Sequence, residues 1–334
     1  MERGRPRFGA VVRFAGAILV AASLAAGCAT APEAGRAGDE AERLKAEDAA
    51  AREAFVGLVG EHNQRVSRLE NFESRASIEA RWKADARERF ERCDGDIFLA
   101  PEGRGAVRLS VVSQNLAWIG GDGQRAWIFN VESRPPTAVV FERLADPAWS
   151  RTGLLPGTEG LGVLAPGSVR QLAGFAPIPA DSAVERAPDA FDAAPGQPWG
   201  RHEIRYEIPP ALRVAVAFGP DRLPVRLRVE TLEGGEVMRS QLSEYLRARA
   251  ENLAIGAWPS VPRKIELVAA AGTATVSVFL DEPSAQAKRM NPRLFRLEDL
   301  LATLRPDAVE YRMPPEPPID GERAGEHSGE DAGG

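Results

Sequence analysis

Cysteine and histidine are scarce in this chain of 334 residues, and each scarcity removes a class of chemistry. The two cysteines are Cys28 and Cys93; if Cys28 is covalently engaged elsewhere, Cys93 has no partner and no internal disulfide can form. Cys93 is expected to be a small, half-buried strand residue, with a free reactive thiol as the lesser alternative. The three histidines, His62, His202 and His327, are dispersed. "HEIRY" at 202–206 carries Tyr206 where a helical zinc motif would place its second histidine, and the stretch alternates like a strand. No transition-metal site is expected. Also missing are a Gly-x-Ser-x-Gly elbow and a Walker loop. "GLGVLA" at 160–165 has no apolar strand feeding it, and "DGD" at 94–96 lacks the length and terminal Glu of a calcium loop. Glu203 and Glu207 share one strand face with Arg205 and read as solvated surface. Without a nucleophile–base pair, neither an enzyme nor a cofactor is expected.

A basic stripe is also absent, so nucleic acid is not an expected partner. Arg3, Arg5, Arg7 and Arg13 lead instead into fourteen uncharged residues, Phe14–Gly27. That run is short for a membrane span, which needs about 20 apolar residues, and suits a signal-peptide core. The small residues Ala25, Ala26 and Gly27 fit a peptidase in extended form, and Cys28 follows them. The pattern resembles the bacterial lipobox, which implies cleavage before Cys28, its lipidation, and a membrane tether. An ordinary secretory signal with an incidental cysteine is the alternative. The stretch departs from the usual lipobox in one respect: Ala25 holds the position that the family gives to Leu, and Leu24 stands one place earlier. Ala29 after the cysteine is not the Asp that retains lipoproteins at the inner membrane, which implies the outer membrane.

Four segments are expected: a signal peptide over 1–27, a flexible tether over 28–43, a folded body over 44–313 and a disordered acidic tail over 314–334. Cleavage leaves 307 residues and, by removing four Arg and one Glu, takes the net charge from −6 to −9. The tail has six acids against one Arg, and the body is close to neutral.

Within the body, Phe55, Leu58, Val59, His62, Val66 and Leu69 recur at spacings of three and four, predicting a helix from Leu44 to about Glu70. His62 reads as a packed or edge histidine on that stripe. The period then drops to two. "RASIEARWKA" places Ala76, Ile78, Ala80 and Trp82 on one face, and "NLAWIGGDGQRAWIFNV" reads as a hairpin about a Gly-Asp-Gly turn. Between Asp146 and Gly200 the chain is irregular, with "GSVRQLAGF" as a short helix stopped by Gly174 and Pro177. Further strands follow, then a helix at "LEDLLATL" and a last strand near Val309–Arg312. The predicted class is mainly β with some helix (α+β). A curved antiparallel sheet forms an incomplete barrel, with the N-terminal helix and short helices as its cover.

"DGQRAWIFN" at 122–130, "CDGDIFLAP" at 93–101 and "DRLPVRLRVETLEGGEVMRSQLSEY" at 221–245 resemble the LolA/LolB family of bacterial lipoprotein carriers. The resemblance covers most of 50–313 as a pattern and implies an unclosed barrel whose helical lid covers an apolar cavity for acyl chains. In the periplasmic carriers an Arg before the proline latches the lid; Ala100 precedes Pro101 here, so that latch does not carry over. The expected cavity residues are Trp82, Phe98, Leu109, Trp118, Trp127, Phe129, Val214 and Leu227. The expected partners are the membrane, through lipidated Cys28, and an acyl chain of a lipoprotein or lipid; the sequence names no protein partner. A tethered interaction module with a filled barrel is the alternative.

Overall fold

The computed structural model describes residues 33–84, 87–112, 114–143, 164, 166–187, 200–208, 211–269, 272, 274–285 and 290–314. The expected signal peptide, Cys28 and the acidic tail beyond Pro314 lie outside the described residues. The chain divides into two units, Met1–Leu44 and Lys45–Gly334. The second unit carries the sheet.

Helix α1 spans Glu33–Ser67 and so begins earlier than Leu44, inside the stretch expected as a tether. Its first turns hold Gly35 and Gly38 among Ala, Glu and Arg, and they lack the apolar stripe by which helices are usually recognised. From Ala51 onward the stripe is present.

Fourteen strands follow among the described residues. The first seven are β1 (Phe72–Ala84), β2 (Arg87–Leu99), β3 (Arg104–Val111), β4 (Gln114–Asp122), β5 (Ala126–Asn130), β6 (Thr137–Phe141) and β7 (Ala183–Arg186). The others are β8 (His202–Ile208), β9 (Leu212–Phe218), β10 (Pro224–Thr231), β11 (Glu236–Arg247), β12 (Ser260–Ala269), β13 (Ala274–Ala285) and β14 (Ala308–Arg312). Two further described helices are α2 (Pro166–Leu172) and α3 (Leu297–Leu304). All these strands lie in one sheet of order β14-β6-β5-β4-β3-β2-β1-β13-β12-β11-β10-β9-β8-β7. β1 sits centrally, pairing with β2 from Phe72↔Leu99 to Ala84↔Arg87 and with β13 on its other side. The described pairings are antiparallel except β14 on β6, where the chain returns after α3 and runs parallel. Edge strands β14 and β7 are not paired to each other, so the barrel is incomplete.

Alternation sorts the side chains into two clusters. Phe72, Ile78, Ile97, Leu99, Val107, Ile119, Ile128, Val214, Leu227, Ile265 and Val278 belong to one continuous core with α1 and α2. This defines the inner face. Ala100, Ala106, Trp118, Trp127, Phe129, Ala138 and Val140 form a smaller cluster on the other face with Phe295, Leu297 and Leu300. The outer face is therefore not wholly wet: the turn Pro292–Phe295 and α3 cover part of it.

Candidate functional site

In sheet order the inner face is apolar from β6 to β8, and helices rather than further strands cover it. α1 presents Ala51, Phe55 and Leu58 to it, and Leu69 follows just beyond the helix, all nearly free of solvent contact. Burying a side chain such as Phe55 or Leu58 contributes about 1.5–3 kcal/mol. α2 adds Val169 and Leu172, and Ala173, Phe175 and Ile178 continue the apolar surface beyond it. The Phe175 ring meets Phe72 with centroids 4.9 Å apart. Gly174 ends α2 in the left-handed region at φ 68°, and a Cβ there would approach Pro224 and Leu242 at 3.3 and 3.4 Å. The sequence expectation of a short helix stopped at Gly174 agrees with this geometry.

Few polar groups fasten this cover, and most bind main chain. Asn63 donates through Nδ2 to the Ile178 carbonyl at 2.8 Å and accepts the Ile178 N–H at 2.8 Å. Arg65 donates to the carbonyls of Gly174 at 2.8 Å and Ser260 at 2.9 Å. Arg170 donates to the carbonyls of Glu70 at 2.8 Å and Ala100 at 3.0 Å. The Ala100 carbonyl, just before Pro101, is thus held by an Arg of α2. Ser240 Oγ donates to Leu172 O, and Gln171 donates to the Tyr206 hydroxyl at 2.6 Å.

His62 occupies the centre of this set. Its Nε2 donates to Ala176 O at 2.9 Å, and Arg65 Nη2 lies 3.1 Å from its Nδ1. A guanidinium only donates and a carbonyl only accepts, so the ring is neutral with its hydrogen on Nε2. Burial first, then the charge of Arg65, push His62 down to about 4, against the pull of the Ala176 carbonyl. Burial also lowers Arg65 and Arg170, and raises Tyr206 to about 12.

The expected cavity set does not share one face. Leu109, Val214 and Leu227 are on the inner face. Phe98, Trp118, Trp127 and Phe129 are on the outer face, against Phe295, Leu297 and Leu300. Trp82 belongs to neither cluster. The cause is register: β4 directs Ala117 and Ile119 inward and Trp118 outward, and Trp118 pairs with Phe129 across to β5. Both candidate faces of β5 are apolar, so alternation in sequence could not tell which was inner. Trp127 lies over its cross-strand partner Gly120, where a Cβ would stand 2.2 Å from the indole nitrogen. Among the described residues neither the Trp118 nor the Trp127 indole N–H has a hydrogen-bond partner.

Glu203 also corrects an expectation. Its side chain is 1% exposed, not solvated, while Glu207 remains exposed. Its Oε1 accepts from Arg205 at 2.6 and 2.8 Å and from Arg228 at 2.7 Å. β9 lies between these arginines and presents Ala215 and Ala217, small enough for the guanidinium groups to meet over them. The sequence signal was available in those alanines, but only pairing order brings Arg228 beside β8. Cys93 is half-buried, as expected, and burial pushes its thiol up to about 11, with Glu91 and Asp94 adding to the shift.

Among the described residues no group of three or more His, Cys, Asp or Glu could hold a metal ion. No described helix is long and apolar enough to cross a membrane. The arrangement is a mainly β, incomplete barrel with an apolar inner face under a helical cover, the architecture that the resemblance to the LolA/LolB carriers implies. No protein-family model and no curated protein sequence matches the chain. Among solved structures, a LolA superfamily protein from Nitrosomonas europaea is similar at 12% identity and TM-score 0.41, covering 72% of this chain and 98% of that one. A putative outer membrane lipoprotein-sorting protein domain from Vibrio parahaemolyticus is similar at 10% identity and TM-score 0.46, covering 74% and 97%.

Proposed function

We propose that this chain is a lipid-anchored envelope protein, facing the periplasm from the outer membrane, that binds an acyl chain of a lipoprotein or lipid without catalysis. The observation that carries the reading is the inner face: one apolar surface drawn from most of the sheet and covered by two helices. A surface closed by helices can open without breaking a strand ladder. Each methylene buried there would contribute about 0.8 kcal/mol with no polar partner required. In this conformation Leu109, Val214 and Leu227 are 5%, 0% and 1% exposed, so a ligand enters by displacing the cover rather than by filling a standing void. That same packing favours the second reading, an interaction module whose barrel is filled by its own helices.

Native purification followed by mass spectrometry of bound lipid tests the proposal. A stoichiometric acylated species supports it. A protein that is empty and also fails to bind a fluorescent fatty-acid analogue overturns it in favour of the interaction module. The tether is tested separately, by replacing Cys28 with Ser and following membrane association; retention at the membrane would overturn lipidation as the anchor.

A further inference from the structure

α1 and the segment after α2 are joined by three neighbouring side chains rather than by apolar contact alone. Asn63 pairs with both backbone groups of Ile178, Arg65 binds Gly174 O, and His62 binds Ala176 O. These acceptors fall within residues 174–178, the connection that carries Phe175 and Ile178 onto the inner face. We propose that His62, Asn63 and Arg65 form a proton-operated clasp, which holds 174–178 against α1 while His62 is neutral and releases it when the ring is protonated.

The geometry supplies the mechanism. In the closed arrangement Nδ1 must be a lone pair, because Arg65 Nη2 points a hydrogen at it from 3.1 Å. A proton added at Nδ1 sets two donors and two positive charges against each other. The Arg65 guanidinium then swings away, and its bond to Gly174 O goes with it. The groups that face the ring do not neutralise the new charge. From α1 the ring meets Arg65; Glu61, the adjacent acid, is engaged by Arg222 at 3.0 Å. From β9 it meets the Phe218 ring edge to face, centroids 5.7 Å apart. From the α2 side it meets the Ala176 carbonyl. The other nearby groups act on Arg65 rather than on the ring: Tyr245 of β11, whose buried hydroxyl is raised and donates to Pro224 O, and the Ser260 carbonyl of β12. Among the described residues no carboxylate contacts His62.

The sign follows from linkage. The closed form keeps His62 neutral down to about 4, whereas a released ring titrates near its ordinary 6.5. The open form therefore binds more protons between those values, so the clasp is at full strength above 6.5 and weakens as pH falls toward 4. Between about pH 7.5 and about pH 5 the open population rises about thirty-fold.

Hydrogen exchange on the full chain, purified in detergent, reads this directly, because the Ile178 amide is bonded only while the clasp is closed. Corrected for intrinsic rate, protection at 174–178 is expected to fall about thirty-fold from about pH 7.5 to about pH 5, while protection in β1 and β13 is retained. In His62→Gln, whose amide has no charge to gain, the pH dependence is expected to vanish. Unchanged protection at 174–178, an equal response in His62→Gln, or parallel loss in β1 and β13 would each overturn the clasp. Should that variant fail to fold, the ring itself decides by nuclear magnetic resonance in the native chain. A His62 ring still neutral at about pH 5 supports the proposal, and one titrating near 6.5 refutes it. No outcome depends on a lipid, so the clasp and the acyl-binding reading fail independently.

Discussion

Trp127 separates the two faces of the sheet in one experiment. It is fully buried, yet on the outer face, beneath Leu297 and Leu300. Truncating a buried Trp to Ala costs about 3–5 kcal/mol through lost transfer energy and the cavity left behind. Here part of that is offset, because the indole N–H has no hydrogen-bond partner among the described residues and removing it relieves a penalty of about 1–3 kcal/mol. Trp127→Ala is therefore expected to destabilise by about 2 kcal/mol, the difference between the middle values of the two ranges. Trp127→Phe, which keeps a ring over Gly120 and discards the unpaired donor, should stay within about 1 kcal/mol of the native protein. Gly120→Ala drives a methyl to 2.2 Å from the indole nitrogen and should cost about 1–3 kcal/mol. Combining it with Trp127→Leu should recover at least about 1 kcal/mol of that loss. Urea unfolding followed by far-ultraviolet circular dichroism gives all four values, and a fluorescent fatty-acid analogue read well below the unfolding midpoint gives binding to the folded fraction. Binding should be unchanged in every variant, since none touches the inner face. A weaker probe affinity in folded Trp127→Ala, or a stability loss below about 1 kcal/mol, would refute this placement of the tryptophan.

Three further perturbations probe the cover, the outer ion network and the thiol. Asn63→Ala removes both bonds to Ile178 and should cost about 1–2 kcal/mol by urea unfolding, with faster proteolysis around 174–178; an unaltered midpoint would mean the pair contributes nothing. Glu203→Gln removes the buried charge on which Arg205 and Arg228 converge, leaving both with Glu230 and Arg205 also with Glu185, and should destabilise by about 1–3 kcal/mol, whereas exposed Glu207→Gln should change stability by less than about 0.5 kcal/mol; equal effects would show that Glu203 is solvated after all. Cys93, with its thiol pushed up to about 11, should react with a neutral disulfide reagent at about pH 8 about a hundredfold more slowly in the native protein than in urea, and equal rates would contradict its burial.

Particular residues show how far the chain could be read in advance. The helical stripe through Phe55, Leu58 and Val66, the hairpin around Asp122–Gly123 and the stop at Gly174 rest on local rules of period, turn and cap, and each appears in the structure. The expected site fared differently. Leu109, Val214 and Leu227 reached the inner face because their strands carry charge or small residues on the other side. Phe98, Trp118, Trp127 and Phe129 did not, because apolar residues occupy both sides of β4, of β5 and of the end of β2, where Ile97 and Leu99 flank Phe98, and the period alone cannot choose. The charged first half of β2, "RERFERC", offers no apolar alternation and was not legible as a strand; its pairing with β1 makes it one.

By itself, then, the sequence determined the class of this protein: a mainly β body, preceded by an uncharged run over 14–27 that ends at a cysteine. These are properties of composition and of neighbours a few residues apart, and they need no knowledge of what packs where. The tertiary structure alone decided which face of β4 and β5 is inner, that α3 covers the outer aromatics, and that Arg228 reaches Glu203 across β9. It alone set His62 between Arg65 and Ala176, 114 residues away from the latter. Such contacts depend on strand order and on the return of distant segments, and long-range closure leaves no periodic trace in the residues that it joins.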